Sequence, residues 1–148
     1  MNLIDSKIPK EAIQAETVLR ELLDGLLIGV YLYGSAVMGG LRVKSDVDVL
    51  ALTNNYLSET TRRELTECLM CISGIPGNVE SIRPLEVTVV NQKDVVPWKF
   101  PPKFEFMYGE WLRERCEKGD FSGPTYDPDL VLLLAQLERH SIPLFGPE

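Results

Sequence analysis

The sequence predicts an α/β (α+β) domain in which a small mixed β-sheet is flanked by helices. Segments with helical spacing of apolar residues alternate with short apolar runs of strand length, which is the pattern of layered α/β structures. The chain has 148 residues, of which 45% are hydrophobic and 25% charged. This length and composition are typical of one globular domain with its own core.

The first half of the chain predicts a helix followed by two strands. Apolar residues from position 9 to 24 follow three-and-four spacing, and Gly25 marks the end of this helix. "LLIGVYLYG" predicts a buried strand that Gly34 closes, and "SAVMGG" permits one helical turn before Gly39 and Gly40. "SDVDVLALT" is expected to form the next strand.

The second half predicts one more strand and three helices. Ser58 is the expected N-cap of a long helix that "GIPGN" ends, and "RPLEVTVVN" alternates as a third strand. Residues 104–117 are expected to be helical. Asp127 and Pro128 are expected to start a last helix that reaches about His140 and is apolar on nearly every face.

The net charge and the N-terminal residues indicate which classes of partner to expect. The net charge of −7 has the wrong sign for binding nucleic acid through its phosphates, and an acidic surface suits cationic small molecules better. The N-terminal residues lack the features of a leader, and no run reaches the roughly 18 apolar residues of a membrane span. We therefore expect a cytoplasmic protein without nucleic-acid or membrane partners.

Cys68 and Cys71 have C-x-x-C spacing, which is found in redox pairs and in half of a zinc site. The chain has no second such pair, and His140 is its one histidine. Because both cysteines lie in a helical pattern beside leucines, they are interpreted as small buried core residues in a reducing compartment.

Three acids are placed on strands, where Asp is disfavoured. Asp46 and Asp48 project from the same face of their strand, while Val47 and the next valine point to the core. Two like charges so close raise each other's pKa unless a cation lies between them, and their oxygen atoms suit Mg²⁺. Glu86 repeats this pattern on the third strand and could complete the site.

Gly34 and Ser35 predict an anion site beside these acids. A strand that ends in Gly and enters a helical turn presents free backbone N–H groups to a phosphate. An anion site beside carboxylates indicates a metal–nucleotide complex, in which two divalent ions stabilise in-line displacement at phosphorus.

Each feature alone is more often structural: Gly-Ser occurs in many turns, D-x-D at solvated strand ends, and a strand Glu can be merely exposed. In combination and in this order, they resemble the polymerase-β-like nucleotidyltransferase superfamily. A closer resemblance covers nearly the whole chain. "YGSAVMGGLRVKSDVDVL", "TTRRELTECLMCISG", "RPLEVTVV", "VVPWKFPPKFEFMYGEWLR" and "DPDLVLLLAQLERHSIPLFGP" resemble the N-terminal domain of aminoglycoside (spectinomycin/streptomycin) adenylyltransferases, nearest the spectinomycin 9-adenylyltransferases.

The resemblance implies an activity and a role for each site residue. AMP from the co-substrate ATP is transferred to a hydroxyl of the antibiotic, with release of pyrophosphate, which confers antibiotic resistance. Asp46 and Asp48 bind Mg²⁺, with two ions expected, and Glu86 is the general base. The nucleotide contacts are assigned to Gly34, Ser35, Ser45 and Asp129.

Trp111 is expected to contact the drug. The structural alternative for Trp111 is a core aromatic residue, and for Asp129 a first-turn acid favoured by the helix dipole.

The family has a C-terminal helical domain that is absent from this chain, so residues 1–148 are expected to be the nucleotidyltransferase domain alone. That predicts a weakly active or inactive chain whose exposed last helix could pair two copies. Two other hypotheses remain open at this point. One is a minimal nucleotidyltransferase that adenylylates a protein partner, as in toxin–antitoxin systems, and the other is a non-catalytic binding module.

Overall fold

A five-stranded mixed sheet is the centre of the computed structural model, which describes residues 8–34, 46–75, 77–96, 101–120 and 123–147. The helices are α1 (Lys10–Leu22), α2 (Glu59–Ile72), α3 (Gln92–Val95), α4 (Arg113–Glu117) and α5 (Leu130–Arg139). The strands are β1 (Leu27–Tyr33), β2 (Val47–Thr53), β3 (Leu85–Asn91), β4 (Lys103–Phe104), β5 (Phe106–Tyr108), β6 (Thr125–Tyr126) and β7 (Ile142–Phe145).

The sheet has the strand order β5–β3–β2–β1–β7. Strands β2 and β3 are parallel, and the other neighbours are antiparallel. A parallel pair needs a long crossover, and α2 provides it between β2 and β3. The small mixed sheet flanked by helices is thus confirmed.

The two faces of the sheet carry different cores. One face packs against α1 and α2 through fully buried residues, which include Ala15, Leu19, Leu65, Leu69, Val30, Val49 and Val87. The opposite face carries a smaller cluster made by Tyr33, Leu50, Val90, Val95, Phe104 and Leu130. The smaller cluster lies on the same face as Asp48 and Glu86, because strand residues two apart share a face.

The predicted helix starts have identifiable local causes. The hydroxyl of Ser58 accepts a hydrogen bond from the Thr61 backbone N–H at 3.1 Å, which confirms it as the N-cap of α2. Asp127 accepts from the backbone N–H of Asp129 at 3.0 Å, and the helix proper then begins at Leu130. "SAVMGG" lies outside the described residues.

The helix predicted over residues 104–117 is wrong. Phe106 and Tyr108 are fully buried in β5, which pairs with the edge of β3. The segment "FEFMY" also has the alternation of a strand, and the unpaired backbone groups along β3 favour that structure. A 3-10 turn over Glu110–Leu112 follows, and only Arg113–Glu117 is α-helical.

Two further features differ from the predictions. Strand β7 was not predicted, and it covers the free edge of β1. Cys71 is exposed and Cys68 only half-buried, so the interpretation of both as buried core residues is wrong, whereas Cys116 is buried. None of the helices in the described ranges is long and apolar enough to cross a membrane.

Candidate active site

A row of polar side chains crosses three strands at one end of the sheet. Tyr33, the last residue of β1, is the register partner of Asp48, and Asp48 is the register partner of Glu86. Register partners on neighbouring strands present their side chains on the same face. Asp46 immediately precedes β2, two residues before Asp48. The structure therefore brings the three predicted acids together.

Apolar neighbours hold these acids in place. Val47 and Val49 are fully buried on the opposite face of β2, and Leu85 and Val87 are fully buried around Glu86 on β3. Glu86 and Asp48 are half-buried, and Asp46 is exposed. A slip of one residue in either strand would bury a carboxylate and expose a valine, so the register is strongly specified.

Burial and the charges of neighbouring acids favour the protonated forms of Glu86 and Asp48. Burial, followed by the charges of Asp48 and Asp46, raises the pKa of Glu86 to about 8. Burial also raises the pKa of Asp48 to about 6, with a further contribution from Asp46 and an opposing one from the hydrogen bond with Glu86. Glu86 is hydrogen-bonded to both Asp46 and Asp48. Without a cation, this site therefore retains a proton on Glu86 near neutral pH.

Gly34 brings the backbone directly against the Asp48 carboxylate. Its φ is +78°, in the left-handed region that favours glycine, and a Cβ there would overlap Oδ2 of Asp48. The glycine thus lets the end of β1 reach the acids. Ser35 and Ser45, the predicted phosphate contacts, lie outside the described residues.

Trp111 and Asp129 lie on separate elements. Trp111 is 60% exposed in the turn after β5, so its alternative as a core residue is wrong. Because Tyr108 pairs with Val87, this turn lies at the same end of the sheet as Glu86. Trp111 lines an open cavity of about 410 Å³. Asp129 is exposed just before α5, and its side chain makes no capping hydrogen bond.

Comparison with known families now identifies the fold. Residues 13–112 match the model of the nucleotidyltransferase domain, which is more than half of the chain. The chain belongs to the nucleotidyltransferase domain family. The matched range contains Gly34, all three acids and Trp111.

Individual relatives show which nucleotidyltransferases the chain resembles. The chain is 56% identical to a spectinomycin 9-adenylyltransferase of Staphylococcus aureus, over 99% of this chain and 56% of the relative. It is 46% identical to one of Campylobacter jejuni, over 97% of this chain and 55% of the relative. The crystal structure of spectinomycin adenyltransferase AAD(9) from Enterococcus faecialis with ATP and spectinomycin superposes with a TM-score of 0.90. It is 34% identical and covers 94% of this chain and 56% of that one. The chain thus spans about half the length of the relatives it matches.

The donor set of this nucleotidyltransferase domain fits Mg²⁺ that arrives with a nucleotide. In the described part of the chain, no group of three or more His, Cys, Asp or Glu side chains is arranged to hold a metal ion by itself. Glu86 is instead hydrogen-bonded to both Asp46 and Asp48. Mg²⁺ usually takes one or two carboxylates and completes its octahedron with phosphates and waters. Two adjacent aspartates with a half-buried third acid meet that requirement.

Tyr33 is a site residue that the sequence reasoning missed. It is buried, and its side chain hydrogen-bonds with Thr88. Burial, followed by the charges of Asp48 and Glu86, raises the pKa of Tyr33, so its phenol stays protonated beside the carboxylates. Its place at the end of β1, directly before Gly34, was the available signal.

Proposed function

We propose that this chain is the nucleotidyltransferase part of an enzyme that transfers AMP from ATP to a hydroxyl of an aminocyclitol antibiotic, with spectinomycin as the first candidate and Mg²⁺ as the metal. Such a transfer would inactivate the drug and give resistance. The similarity to two spectinomycin 9-adenylyltransferases and to a structure with ATP and spectinomycin supports this acceptor. The negative net charge supports a cationic one. Dependence on ATP would also place the reaction in the cytoplasm.

The register pairing of Asp48 with Glu86, beside Asp46, is the observation that carries the proposal. Glu86, the proposed general base, therefore lies next to the two aspartates that would hold the metal. The raised pKa values of Asp48 and Glu86 indicate that the arrangement is costly without a cation, so a structural purpose explains it poorly.

The proposed reaction is a displacement at the α-phosphorus. The drug hydroxyl forms a new P–O bond, the bond to the bridging oxygen of pyrophosphate breaks, and the hydroxyl proton passes to the Glu86 carboxylate. Asp46 and Asp48 would hold the metal, proposed as two ions. When bound, Mg²⁺ supplies positive charge that neutralises phosphate oxygens and favours the ionised acids. Gly34, Ser35 and Ser45 would receive the phosphates.

Asp129 would reach the nucleotide from the start of α5, and Trp111 would present an apolar face to the rings of the drug. Trp111 is well placed for this, because its exposed indole lies at the Glu86 end of the sheet.

Helix α5 supports a proposal on domain organisation. Leu130 is 2% exposed and packs with Tyr33, whereas Leu132, on the outer side of the helix, is 73% exposed. We propose that residues 1–148 form the nucleotidyltransferase domain and that a helical domain, as in the family, covers this outer side. The alternative occupant is a second copy of the chain, and gel filtration at several concentrations distinguishes the two.

Radiolabelled ATP tests the function. The 148-residue chain is incubated with Mg²⁺ and spectinomycin, streptomycin or a cell extract, and so is a fusion to the C-terminal half of the Staphylococcus aureus relative. Labelled spectinomycin is the expected product, with the fusion faster than the chain. Absence of labelled drug with both proteins would refute the proposal. Labelled protein in the extract would instead support the protein-modifying alternative, which the relatives do not favour.

A further inference from the structure

The carboxylate of Glu110 is the centre of a hydrogen-bond cluster that the proposed reaction does not use. Its Oε1 accepts from Arg113 Nε at 2.7 Å. Its Oε2 accepts from Arg113 Nη2 at 2.9 Å, from the Ser73 hydroxyl at 2.6 Å and from the Tyr108 hydroxyl at 3.2 Å. The Glu110 side chain is only 10% exposed. Such a bidentate, nearly buried pair fixes geometry closely.

One arm of this cluster reaches the strand of the proposed base. The Ser73 hydroxyl donates to Glu110 and accepts the backbone N–H of Leu85 at 2.9 Å. Leu85 is the first residue of β3 and directly precedes Glu86. Through Ser73, the Glu110 carboxylate therefore holds the point at which the chain enters the site.

The other arm reaches the proposed drug contact. Trp111 follows Glu110 in the same turn, and its indole folds back over Gly109, where a Cβ would overlap the ring. Arg113 anchors this turn to the end of α2, since its Nη2 donates to the carbonyl groups of Met70 and Ser73 at 3.1 Å each. The turn that carries Trp111 is thus fixed to the same carboxylate as the start of β3.

The Glu110 carboxylate and the Arg113 guanidinium both stay charged over the neutral pH range. Burial opposes the charge of Glu110, but the hydrogen bonds from Arg113, Ser73 and Tyr108 outweigh it and lower its pKa. The hydrogen bond to Glu110 raises the pKa of Arg113. A lost charge on either side would leave the other nearly buried without its partner.

We propose that Glu110 is a positioning residue that sets the distance between Glu86 and Trp111, and so between the base and the drug. This inference rests on the proposed function. It assigns to Glu110 an effect on both turnover and drug binding. It assigns to the Ser73 hydroxyl an effect on turnover alone, because this hydroxyl links Glu110 to the Glu86 strand, whereas the Glu110–Arg113 pair and the Ser73 carbonyl still hold the Trp111 turn without it.

A double-mutant cycle tests the role. The parent, Glu110→Gln, Trp111→Ala and the double variant are compared in the 148-residue chain and in the fusion described above. Glu110→Gln is expected to raise the KM for spectinomycin and lower kcat, each by about 10-fold or more, because misplacement by about 1 Å can cost on the order of 100-fold. The KM for ATP is expected to stay within about 2-fold. In the Trp111→Ala background, the effect on the KM for the drug is expected to shrink to about 2-fold or less.

Two further variants separate positioning from folding. Glu114 lies in α4 and makes an exposed ion pair with Lys118 at the end of that helix. Glu114→Gln removes this pair and is expected to change neither kcat nor the KM for the drug. Ser73→Ala leaves the Glu110–Arg113 pair in place, so it remains informative if Glu110→Gln fails to fold. It is expected to lower kcat by about 10-fold with the drug KM unchanged.

The outcomes are distinct. If the parent labels no drug, the proposed function fails and this role fails with it. If the parent is active and Glu110→Gln and Trp111→Ala have independent, multiplicative effects on the drug KM, Glu110 is merely structural and the inference is overturned. Unchanged kcat in a folded Ser73→Ala variant overturns it as well.

Discussion

The acid site makes the stability of the chain depend on pH in an unusual direction. Glu86 and Asp48 have pKa values raised to about 8 and about 6 in the folded protein. In the window from about pH 4 to about pH 8, the folded protein therefore binds more protons than the unfolded chain. The free energy of unfolding should then fall as pH rises through this window, opposite to the usual behaviour of paired carboxylates.

Glu86 sets most of the magnitude. Its pKa rises from 4.5 to about 8, and each tenfold change in proton affinity is worth about 1.4 kcal/mol, which gives about 5 kcal/mol before screening. Because the side chain is only half-buried, solvent screening reduces this to roughly 2 kcal/mol. For a chain of this size, that corresponds to a fall in Tm of about 4–8 °C.

Thermal unfolding, followed by circular dichroism at about pH 5.5 and about pH 8.5 with EDTA present, measures this change in Tm. Glu86→Gln should be more stable than the parent at the higher pH and should lose most of the difference between the two conditions. Glu80→Gln, at an exposed position, is the matched control. A parent whose stability rises between these two pH values, or a Glu86→Gln variant that keeps the parent's pH dependence, would refute the reasoning.

Three other predictions follow from single positions. Gly34→Ala should cost about 2–3 kcal/mol of stability, because the Cβ adds a clash with Asp48 to the strain of a positive φ. Gly25→Ala, at φ +83° with open space around it, should cost only about 1 kcal/mol by urea denaturation; equal costs would contradict the clash. Leu130→Ala should cost about 2–5 kcal/mol and Leu132→Ala less than about 0.5 kcal/mol, and similar values would show that α5 is packed differently. Asp46→Asn should raise the Mg²⁺ concentration needed for half-maximal AMP transfer by about 10-fold or more, and an unchanged Mg²⁺ titration would remove it from the metal site.

The alternation of apolar and acidic residues along two strands predicted most of the site. The period of two in 46–49 and 85–89 set valines against acids, and the structure buries the valines and groups the acids. The exact pairing of Asp48 with Glu86 could not be predicted, because register depends on how two distant strands align.

The remaining differences have the same non-local origin. Residues 104–117 combine aromatic alternation with helical spacing, and pairing with β3 decides in favour of β5. The segment that forms β7 has too few residues to show a period, and only the free edge of β1 makes it a strand. The Glu110 cluster joins residues 37 apart in the chain, so no local pattern reveals it.

The most direct test of the proposed site asks whether AMP transfer can be lost while Mg-ATP binding is retained. Mg-ATP binding and transfer of labelled AMP to spectinomycin are measured side by side in the parent, Asp48→Asn and Glu86→Gln. We predict that Asp48→Asn loses both Mg-ATP binding and AMP transfer. Glu86→Gln should keep Mg-ATP binding within about 3-fold while transfer falls by about 100-fold or more, as expected for loss of a general base. A Glu86→Gln variant that still transfers AMP at the parent's rate would contradict the assignment.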